Sequence, residues 1–325
     1  MRMKFIAEAA LCHKGSVKVA KQFIDSSIKL NTDYLKFHLI IADEIADKNY
    51  KHYNLFKSFE IVEKDWISIS KYAKKKNIKL IFDVLGPVSL KIAIKCRIRT
   101  IKLHATDIYN YPFHQIIKKS SIKNVIIGAG GCEVSELIKI SKILKKKKIT
   151  FMFGYQTYPT VTKNLDLSKI GLIKKLIKKK NIQLGYADHS PTGMLETIYN
   201  CSSSISHGAN IIEKHFSFDK SIKTDLDTSV FNKSEFNKMV SLISNFANLK
   251  KNLKWFHNNE KKYRKSVSKN YFALRDIKKN EIISFSNLNL KRGKFAPKVH
   301  IDKILNRKSK VQIKKNQEIK YSFVK

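Results

Sequence analysis

The chain has 325 residues, 43% of them hydrophobic, and its 65 Lys and Arg residues against 26 Asp and Glu residues give a formal net charge of +39. This length suits one barrel of about 250 residues with a small appended domain. No run of about 18 uncharged apolar residues predicts a membrane span, and an early glutamate interrupts any signal-peptide core, so we expect a cytoplasmic protein. The cysteines, Cys12, Cys96, Cys132 and Cys201, are far apart with no Cys-x-x-Cys motif, which predicts free thiols.

The high positive charge raises the question of nucleic-acid binding. Nearly all of it is lysine on predicted helix faces, such as Lys145–Lys148, and arginines are few. Proteins that read nucleic acids favour arginine for bidentate and stacked contacts. We therefore expect no specific nucleic-acid partner, and weak polyanion binding at low salt at most.

Short β-rich runs alternate with amphipathic helical stretches along most of the chain. The pattern predicts strands at Lys4–Ala9, Tyr34–Leu39, Lys79–Val84, Thr100–Leu103, Asn124–Gly128, Thr150–Gly154, Gln183–Ala187 and Asn210–Lys214. Such repeated strand–helix units are typical of an α/β protein with a (β/α)8 TIM barrel. A doubly wound sheet is the rival architecture, but it usually has fewer strands. We assign the barrel to residues 1–253, with an insertion at 40–66 after the second strand.

The pattern changes after the barrel. Residues 254–265 are polar and charged and are predicted to form a linker. Residues 266–325 contain short runs without a long helix and predict a small β-rich domain. The sequence Ile-Lys-Lys-Asn occurs at 277–280 and again at 313–316, which suggests two related hairpins.

Side chains capable of chemistry recur where the predicted strands end, which is the face that carries active sites in TIM barrels. They are Glu8, Lys36, His38, Asp83, Lys102, His104, Asp107, Gly128–Gly131, Gln156, Tyr158, Asp188, His189, Glu213 and His215. Lys36 and His38 lie on the same face of one strand because strand residues alternate. The set predicts one site at this end of the barrel.

Two histidines occupy matching places. His189 follows Asp188 at one predicted strand end, and His215 follows Glu213 at the next. Since parallel strands end at the same side of a sheet, the two imidazoles can converge on one ion or one substrate.

Several of these residues have a plain structural alternative. Glu8 and Asp83 are also suited to helix caps or salt bridges, and Gly128–Gly131 is either a tight turn or a phosphate-binding loop. Lys36 and Lys102 interrupt apolar strands, where a buried lysine is costly unless it meets an anion. These two lysines are therefore candidates for binding an anionic substrate.

Several motifs spread along the chain resemble one enzyme family. They are Ile6-Ala-Glu8-Ala-Ala-Leu-Cys-His13-Lys-Gly15, Leu35-Lys36-Phe37-His38 (similar to Lys-Phe-Gln), Ile101-Lys102-Leu-His-Ala-Thr-Asp107, Tyr158-Pro159-Thr160, Gly185-Tyr-Ala-Asp188-His189-Ser, Ile212-Glu213-Lys214-His215-Phe216, Asp225 with Ser229, and Leu290-Lys291-Arg292-Gly293. Taken together they resemble the N-acetylneuraminate (sialic acid) synthases and related nonulosonic acid synthases. Residues 266–325 resemble the antifreeze-like (SAF) domain of that family.

The resemblance implies a transferase that condenses phosphoenolpyruvate with an N-acyl amino sugar such as N-acetylmannosamine, in a domain-swapped homodimer with a divalent cation, Mn or Mg. It implies that His189 and His215 are metal ligands near Glu8, and that Lys36 and Lys102 hold phosphoenolpyruvate. It also implies sugar contacts for Tyr158, Glu213 and Asp225, and an Arg292 that reaches the partner subunit's site. We add Asp107 to the catalytic candidates and Asp83, Gly130, Gln156 and Asp188 to the substrate-binding candidates.

Some positions depart from the family pattern. Phe82-Asp83-Val84-Leu85 stands where familiar members carry Ser-Thr-Pro-Phe, and Ala105, Gly128, Ala187 and Gln156 replace other small polar residues. We expect phosphoenolpyruvate to remain the donor, held by Lys36, Lys102 and the glycine turn. A noncatalytic binding or assembly barrel is the alternative, and a polyanion-binding protein is a more distant one.

Overall fold

The computed structural model describes residues 2–155, 159–177, 179, 181–191, 193–219, 222, 229–249, 256–293 and 299–325. The chain divides into two compact units, residues 1–251 and residues 252–325. Within the described ranges, no helix has the length and apolar character needed to cross a membrane.

The first unit is a closed barrel of parallel strands in sequential order. The strands are β1 Lys4–Ala10, β2 Tyr34–His38, β3 Leu80–Asp83, β4 Thr100–Leu103, β5 Asn124–Gly128, β6 Lys148–Phe153, β7 Ile182–Asp188 and β8 Ile211–His215. The helices of this unit are α1 Val17–Ser27, α2 Ala42–Ile45, α3 Tyr53–Ser58, α4 Glu63–Lys75, α5 Pro87–Lys95, α6 Tyr111–Lys119, α7 Val134–Ile143, α8 Ser168–Leu176, α9 Met194–His207 and α10 Lys233–Leu249. The predicted TIM-barrel fold is confirmed.

The period-two alternation of the strands sorts the barrel interior into layers. The outward residues, such as Leu35 and Phe37, pack under the helices in the main core. The inward residues form a middle apolar layer of Ile6, Ile81, Ile126, Met152, Ala187 and Ile211. At the amino-terminal ends of the strands, a separate cavity is lined by polar residues that include Lys4, Tyr34, Thr100, Asn124, Lys148 and Gln183. The charged residues at the other end lie two positions beyond the apolar layer, on the same inward face.

The insertion after β2 is shorter than predicted, because Trp66 already belongs to α4 and is buried in the core. It forms the two short helices α2 and α3. Glu44 of α2 accepts hydrogen bonds from the backbone N–H groups of Val88 and Ser89 at the start of α5. A protein carboxylate therefore already caps this helix N-terminus.

The second unit has its own small core, which includes Ala273, Ile283, Ile304 and Ile319. Its strands β9 Lys269–Ala273 and β10 Leu288–Arg292 pair antiparallel. The Ile-Lys-Lys-Asn repeat is visible in the backbone: Ile277 and Ile313 exchange hydrogen bonds of 2.8 and 2.9 Å. Asn280 and Asn316 both adopt a positive φ, at 68° and 64°.

A helix, α11 Asn258–Val267, occupies much of the stretch predicted to be a linker. It is strongly polar and has no buried residue, so its sequence resembles that of an exposed linker. Glu260 in its first turn and Arg264 in its last turn complement the helix dipole. The assignment of this unit as an SAF domain stays a prediction.

Candidate functional site

A cavity of about 50 Å³ opens at the carboxyl-terminal ends of the barrel strands. It is lined by Glu8, Lys36, His38, Asp83, Lys102, His104, Ala105, Gly128, Met152, Gly154, Ala187, His189, Glu213 and His215. The strand register brings them together: Glu8 pairs with Lys36 on one side and His215 on the other, and Asp83 pairs with both His38 and Lys102. Charged and imidazole groups therefore form a continuous wall around the mouth of the barrel.

Lys36 lies at the centre of a buried ion cluster. Its ammonium contacts a carboxylate oxygen of Glu8, Asp83 Oδ2 at 3.0 Å and Glu213 Oε1 at 3.1 Å, with 1% of its side chain exposed. Burial lowers the pKa of Lys36 to about 8, and the carboxylates of Asp83 and Glu213 oppose that shift. One ammonium thus joins the ends of β1, β2, β3 and β8.

A second ion pair spans the barrel mouth. Lys102 Nζ on β4 donates to Glu213 Oε1 on β8 at 2.6 Å, and these strands lie on opposite sides of the closed barrel. Although burial opposes its charge, the carboxylates of Glu213 and Asp83 raise the pKa of Lys102 above its usual value. The two lysines in turn hold the pKa of both Asp83 and Glu213 below the usual range against their burial, so both carboxylates are ionised.

Glu8, His38 and Asp83 form a cluster of metal-ligand type, with one ligand atom from each lying within 4.8 Å of the others. His38 Nε2 is 2.9 Å from Asp83 Oδ2 and 3.8 Å from Glu8 Oε1. Asp83 Oδ1 is buried without a hydrogen-bond partner among the described residues. Imidazole and carboxylate groups in this arrangement suit a divalent cation.

The two histidines singled out in the sequence do converge. The ring centroids of His189 and His215 lie 5.4 Å apart. His189 Nδ1 is 3.2 Å from the carbonyl oxygen of Tyr155, which can only accept, so Nδ1 carries the proton and Nε2 carries the lone pair. Burial lowers the pKa of His189 to about 4, and burial also holds the pKa of His215 well below its usual value.

Two neutral imidazoles facing one cavity fit a catalytic metal of the kind implied by the family resemblance. A ligating histidine characteristically donates its other ring N–H to a carbonyl or carboxylate, as His189 does to Tyr155. Metal coordination also requires the neutral form, which burial favours at both positions.

Other predicted site residues lie outside the cavity wall. Asp107 and Gly130 are not among the lining residues, although burial raises the pKa of Asp107. Asp188 is fully buried and its carboxylate accepts hydrogen bonds from Ser190, Thr197 and Lys214. Gln156, Tyr158 and Asp225 lie outside the described residues. Arg292 belongs to the second unit.

Sequence reasoning placed His38 and His104 at strand ends but gave neither a role, and both line the cavity. Burial lowers the pKa of His104 to about 4. The replaced positions Ala105, Gly128 and Ala187 also line it, and none of the described lining residues carries a hydroxyl group. A Cβ atom at position 128 would lie 2.8 Å from the backbone nitrogen of Ala105, so close packing of two strand ends accounts for the glycine.

The fold and the residues that line the cavity define the class of protein. It is a TIM-barrel protein whose ionisable residues gather at the carboxyl ends of the strands, as in the enzymes of that class. The chain belongs to the NeuB family, whose model matches residues 5–254.

The relatives are similar over nearly the whole chain. An uncharacterised protein of Methanocaldococcus jannaschii is 29% identical and aligns over 94% of this chain and 89% of its own length. A pseudaminic acid synthase of Campylobacter jejuni is 25% identical and aligns over 97% and 94%. In fold, the chain is similar to the N-acetylneuraminic acid synthetase of Leptospira borgpetersenii, with a TM-score of 0.73 and 24% identity over 81% of this chain and 92% of that one.

Proposed function

We propose that the protein is a nonulosonic acid synthase, which condenses phosphoenolpyruvate with an N-acyl amino sugar and water to give a sialic-type acid and phosphate. The observation that carries this proposal is the gathering of Lys36, Lys102, His189 and His215 around one cavity of a NeuB-family barrel. Relatives named for the synthesis of pseudaminic and diacetyllegionaminic acids support the substrate class.

In this proposal the donor lies against the two lysines. Lys36 and Lys102 are buried point charges that suit the carboxylate and phosphate of phosphoenolpyruvate. C3 of the donor bonds to the aldehyde carbon of the open-chain sugar, water adds at C2, and phosphate leaves. Burial of the lining residues excludes bulk water, which strengthens each electrostatic contact in the site.

The acceptor lies nearer the imidazoles. His189 and His215 would hold a divalent cation, Mn or Mg, which supplies Lewis-acid polarisation of the sugar aldehyde. Glu213 contacts both lysines, and in this proposal it also contacts the sugar, so it would link the donor position to the acceptor position. Arg292, in a domain-swapped homodimer, would complete the site of the partner subunit.

The test is phosphate release from phosphoenolpyruvate across a panel of N-acyl aldoses, free and phosphorylated, with Mn²⁺ or Mg²⁺ and with product mass measured. We expect one aldose to give a product heavier than the sugar by the pyruvate unit. Lys102→Ala should weaken donor binding, measured by calorimetry, by several kcal/mol at most, as for one partner of a buried charge contact. The affinity for the aldose should change much less.

One observation favours the second candidate, a noncatalytic binding barrel. Both donor lysines already contact carboxylates within the protein. If phosphoenolpyruvate does not bind the metal-loaded wild type, or binds Lys102→Ala equally well, the synthase proposal is wrong and the noncatalytic one stands.

A further inference from the structure

The charges around the cavity do not suit an anionic donor as they stand. Among the described residues that line it, the carboxylates of Glu8, Asp83 and Glu213 outnumber the ammonium groups of Lys36 and Lys102 by one. Without a bound cation, phosphoenolpyruvate, which carries at least two negative charges near neutral pH, meets net repulsion in this buried, low-dielectric place. Positive charge from bound cations is therefore needed in addition to the two lysines.

Two of these carboxylates leave a buried oxygen without a hydrogen-bond partner among the described residues, Asp83 Oδ1 and Glu213 Oε2, and the one on Asp83 lies beside His38. Asp83 is 2% exposed, and its Oδ1 has no hydrogen-bond partner among the described residues. A buried carboxylate oxygen without a partner is costly, and such atoms in folded proteins commonly mark a ligand or an ion. His38 lies on the other oxygen of this group, at 2.9 Å from Oδ2.

We propose that Glu8, His38 and Asp83 bind a divalent cation of the Mg²⁺ or Mn²⁺ class, in addition to the ion assigned to His189 and His215. Their ligand atoms already lie within 4.8 Å of one another. Two carboxylates and one imidazole form a mixed oxygen and nitrogen set, which suits Mn²⁺ over a soft thiolate-seeking metal.

Cation binding would also move the ammonium group of Lys36 to a second position. In the metal-free chain its ammonium contacts the carboxylates of Glu8 and Asp83, the same groups that would bind the ion. Cation binding displaces the ammonium from these groups, and Lys36 then turns to the donor. The cation adds two positive charges to a lining whose carboxylates and lysines alone sum to one negative charge. This half of the inference rests on the proposed function, whereas the metal site does not.

The departures from the family pattern are consistent with a site built into this chain. In the resemblance described under Sequence analysis, His38 stands at the glutamine of the Lys-Phe-Gln motif, and Asp83 stands within the stretch that resembles Ser-Thr-Pro-Phe. Both substitutions add metal-ligand groups, while the hydroxyl groups expected around the donor are absent from the described lining residues. A cation would thus take over the role of neutral hydrogen-bond donors.

The experiment is equilibrium dialysis of Mn²⁺ against the metal-free full-length chain, without phosphoenolpyruvate or sugar. We expect the wild type to bind two ions. His38→Gln, which restores the family residue, and Asp83→Asn should each weaken the same ion by at least about tenfold and leave the other in place. His215→Ala should remove the other ion instead.

The control is His104→Gln, which changes a histidine of the same cavity outside the cluster and should retain both ions. Lys36→Met should tighten Mn²⁺ binding, because it removes a competing positive charge. Wild-type binding by both His38→Gln and Asp83→Asn would overturn the proposal. If neither variant folds, anomalous scattering from Mn²⁺-soaked wild-type crystals decides: a peak bonded to Glu8, His38 and Asp83 supports the site, and its absence overturns it. Because no substrate is present, this result is independent of phosphate release.

Discussion

Asp188 and Lys214 form an ion pair without access to water. Lys214 Nζ lies 2.6 Å from Asp188 Oδ2, and both side chains are 0% exposed. Ser190, Thr197 and Tyr186 also donate to this carboxylate. Lys214 sits over the ring of Phe231 at 4.6 Å from its centroid. Since each charge is fully partnered, the pair fixes the backbone beside His189 and His215.

Removing one charge of this pair should therefore lower the free energy of unfolding more than removing both charges. We expect Asp188→Asn to lower the free energy of unfolding by about 3–5 kcal/mol, because it leaves a buried ammonium uncompensated. The double variant Asp188→Asn with Lys214→Met should recover part of that loss. Urea unfolding measures both.

The matched control is the exposed pair of Lys95 and Glu63, also 2.6 Å apart but with side chains 44% and 39% exposed. Glu63→Gln should change the free energy of unfolding by less than about 1 kcal/mol. Equal losses for Asp188→Asn and Glu63→Gln would refute the distinction between the two pairs.

At this scale, the sequence identified the participants of the site better than their partners. Strand alternation correctly placed Lys36 and His38 on one face, and strand-end position brought Glu8, Asp83 and Glu213 near them. The sequence left open whether Asp83 would contact a substrate or a lysine. In the structure its carboxylate contacts the ammonium group of Lys36. The Lys36–Glu213 contact joins residues 177 positions apart, so it depends on barrel closure, which no local pattern encodes.

The strand ends at the mouth are positioned by close backbone approach. A Cβ atom on Gly128 of β5 would lie 2.8 Å from the nitrogen of Ala105 after β4, and one on Gly154 would lie 2.8 Å from the carbonyl oxygen of Ala187. Neither contact involves the flexible end of a side chain, so the neighbouring strand itself would have to move. Glycine at these two positions sets how closely adjacent strands meet.

We therefore expect Gly128→Ala to lower the free energy of unfolding by about 1–3 kcal/mol, as for overpacking in a well-packed interior. Gly193→Ala serves as the control, because the nearest atom to its Cβ is 4.0 Å away, and it should cost less than about 1 kcal/mol. Thermal unfolding of both variants compares them. A Gly128→Ala protein as stable as wild type would show that the neighbouring strand ends can move apart at little cost in free energy.

Elements with a strong apolar pattern were predictable, and elements without one were not. Each predicted strand lies at an observed strand of the barrel, with ends that differ by at most two residues. The helices α2, with four residues, and α3, with six, are too short for a periodicity to be recognised. Helix α11 is strongly polar and none of its residues is buried, so its sequence resembles that of an exposed linker.

At the scale of the whole molecule, the domain-swapped homodimer remains a proposal. It predicts that a chain carrying Arg292→Ala and a chain carrying His215→Ala restore part of the activity when mixed and refolded together. One of the two sites in such a heterodimer would regain a complete set of residues. Phosphate release by verified heterodimers is the measurement.

Each variant alone serves as the control and should be inactive or strongly impaired. Arg292→Lys should be a poor substitute, since lysine lacks the planar fork for bidentate contacts. If verified heterodimers recover no activity, the hypothesis that Arg292 completes the partner subunit's site is wrong.

The ion pair of Lys102 and Glu213 joins β4 to β8 across the barrel and lines the cavity. Beneath it lies the apolar layer of Ile6, Ile81 and their neighbours, which separates the mouth from the cavity at the other end. Among the residues that the structure describes, the site is thus a well that opens at the carboxyl ends of the strands. Under the proposed function, a donor bound against the lysines would have to enter before the acceptor that covers it. The barrel itself would then set the order of substrate binding.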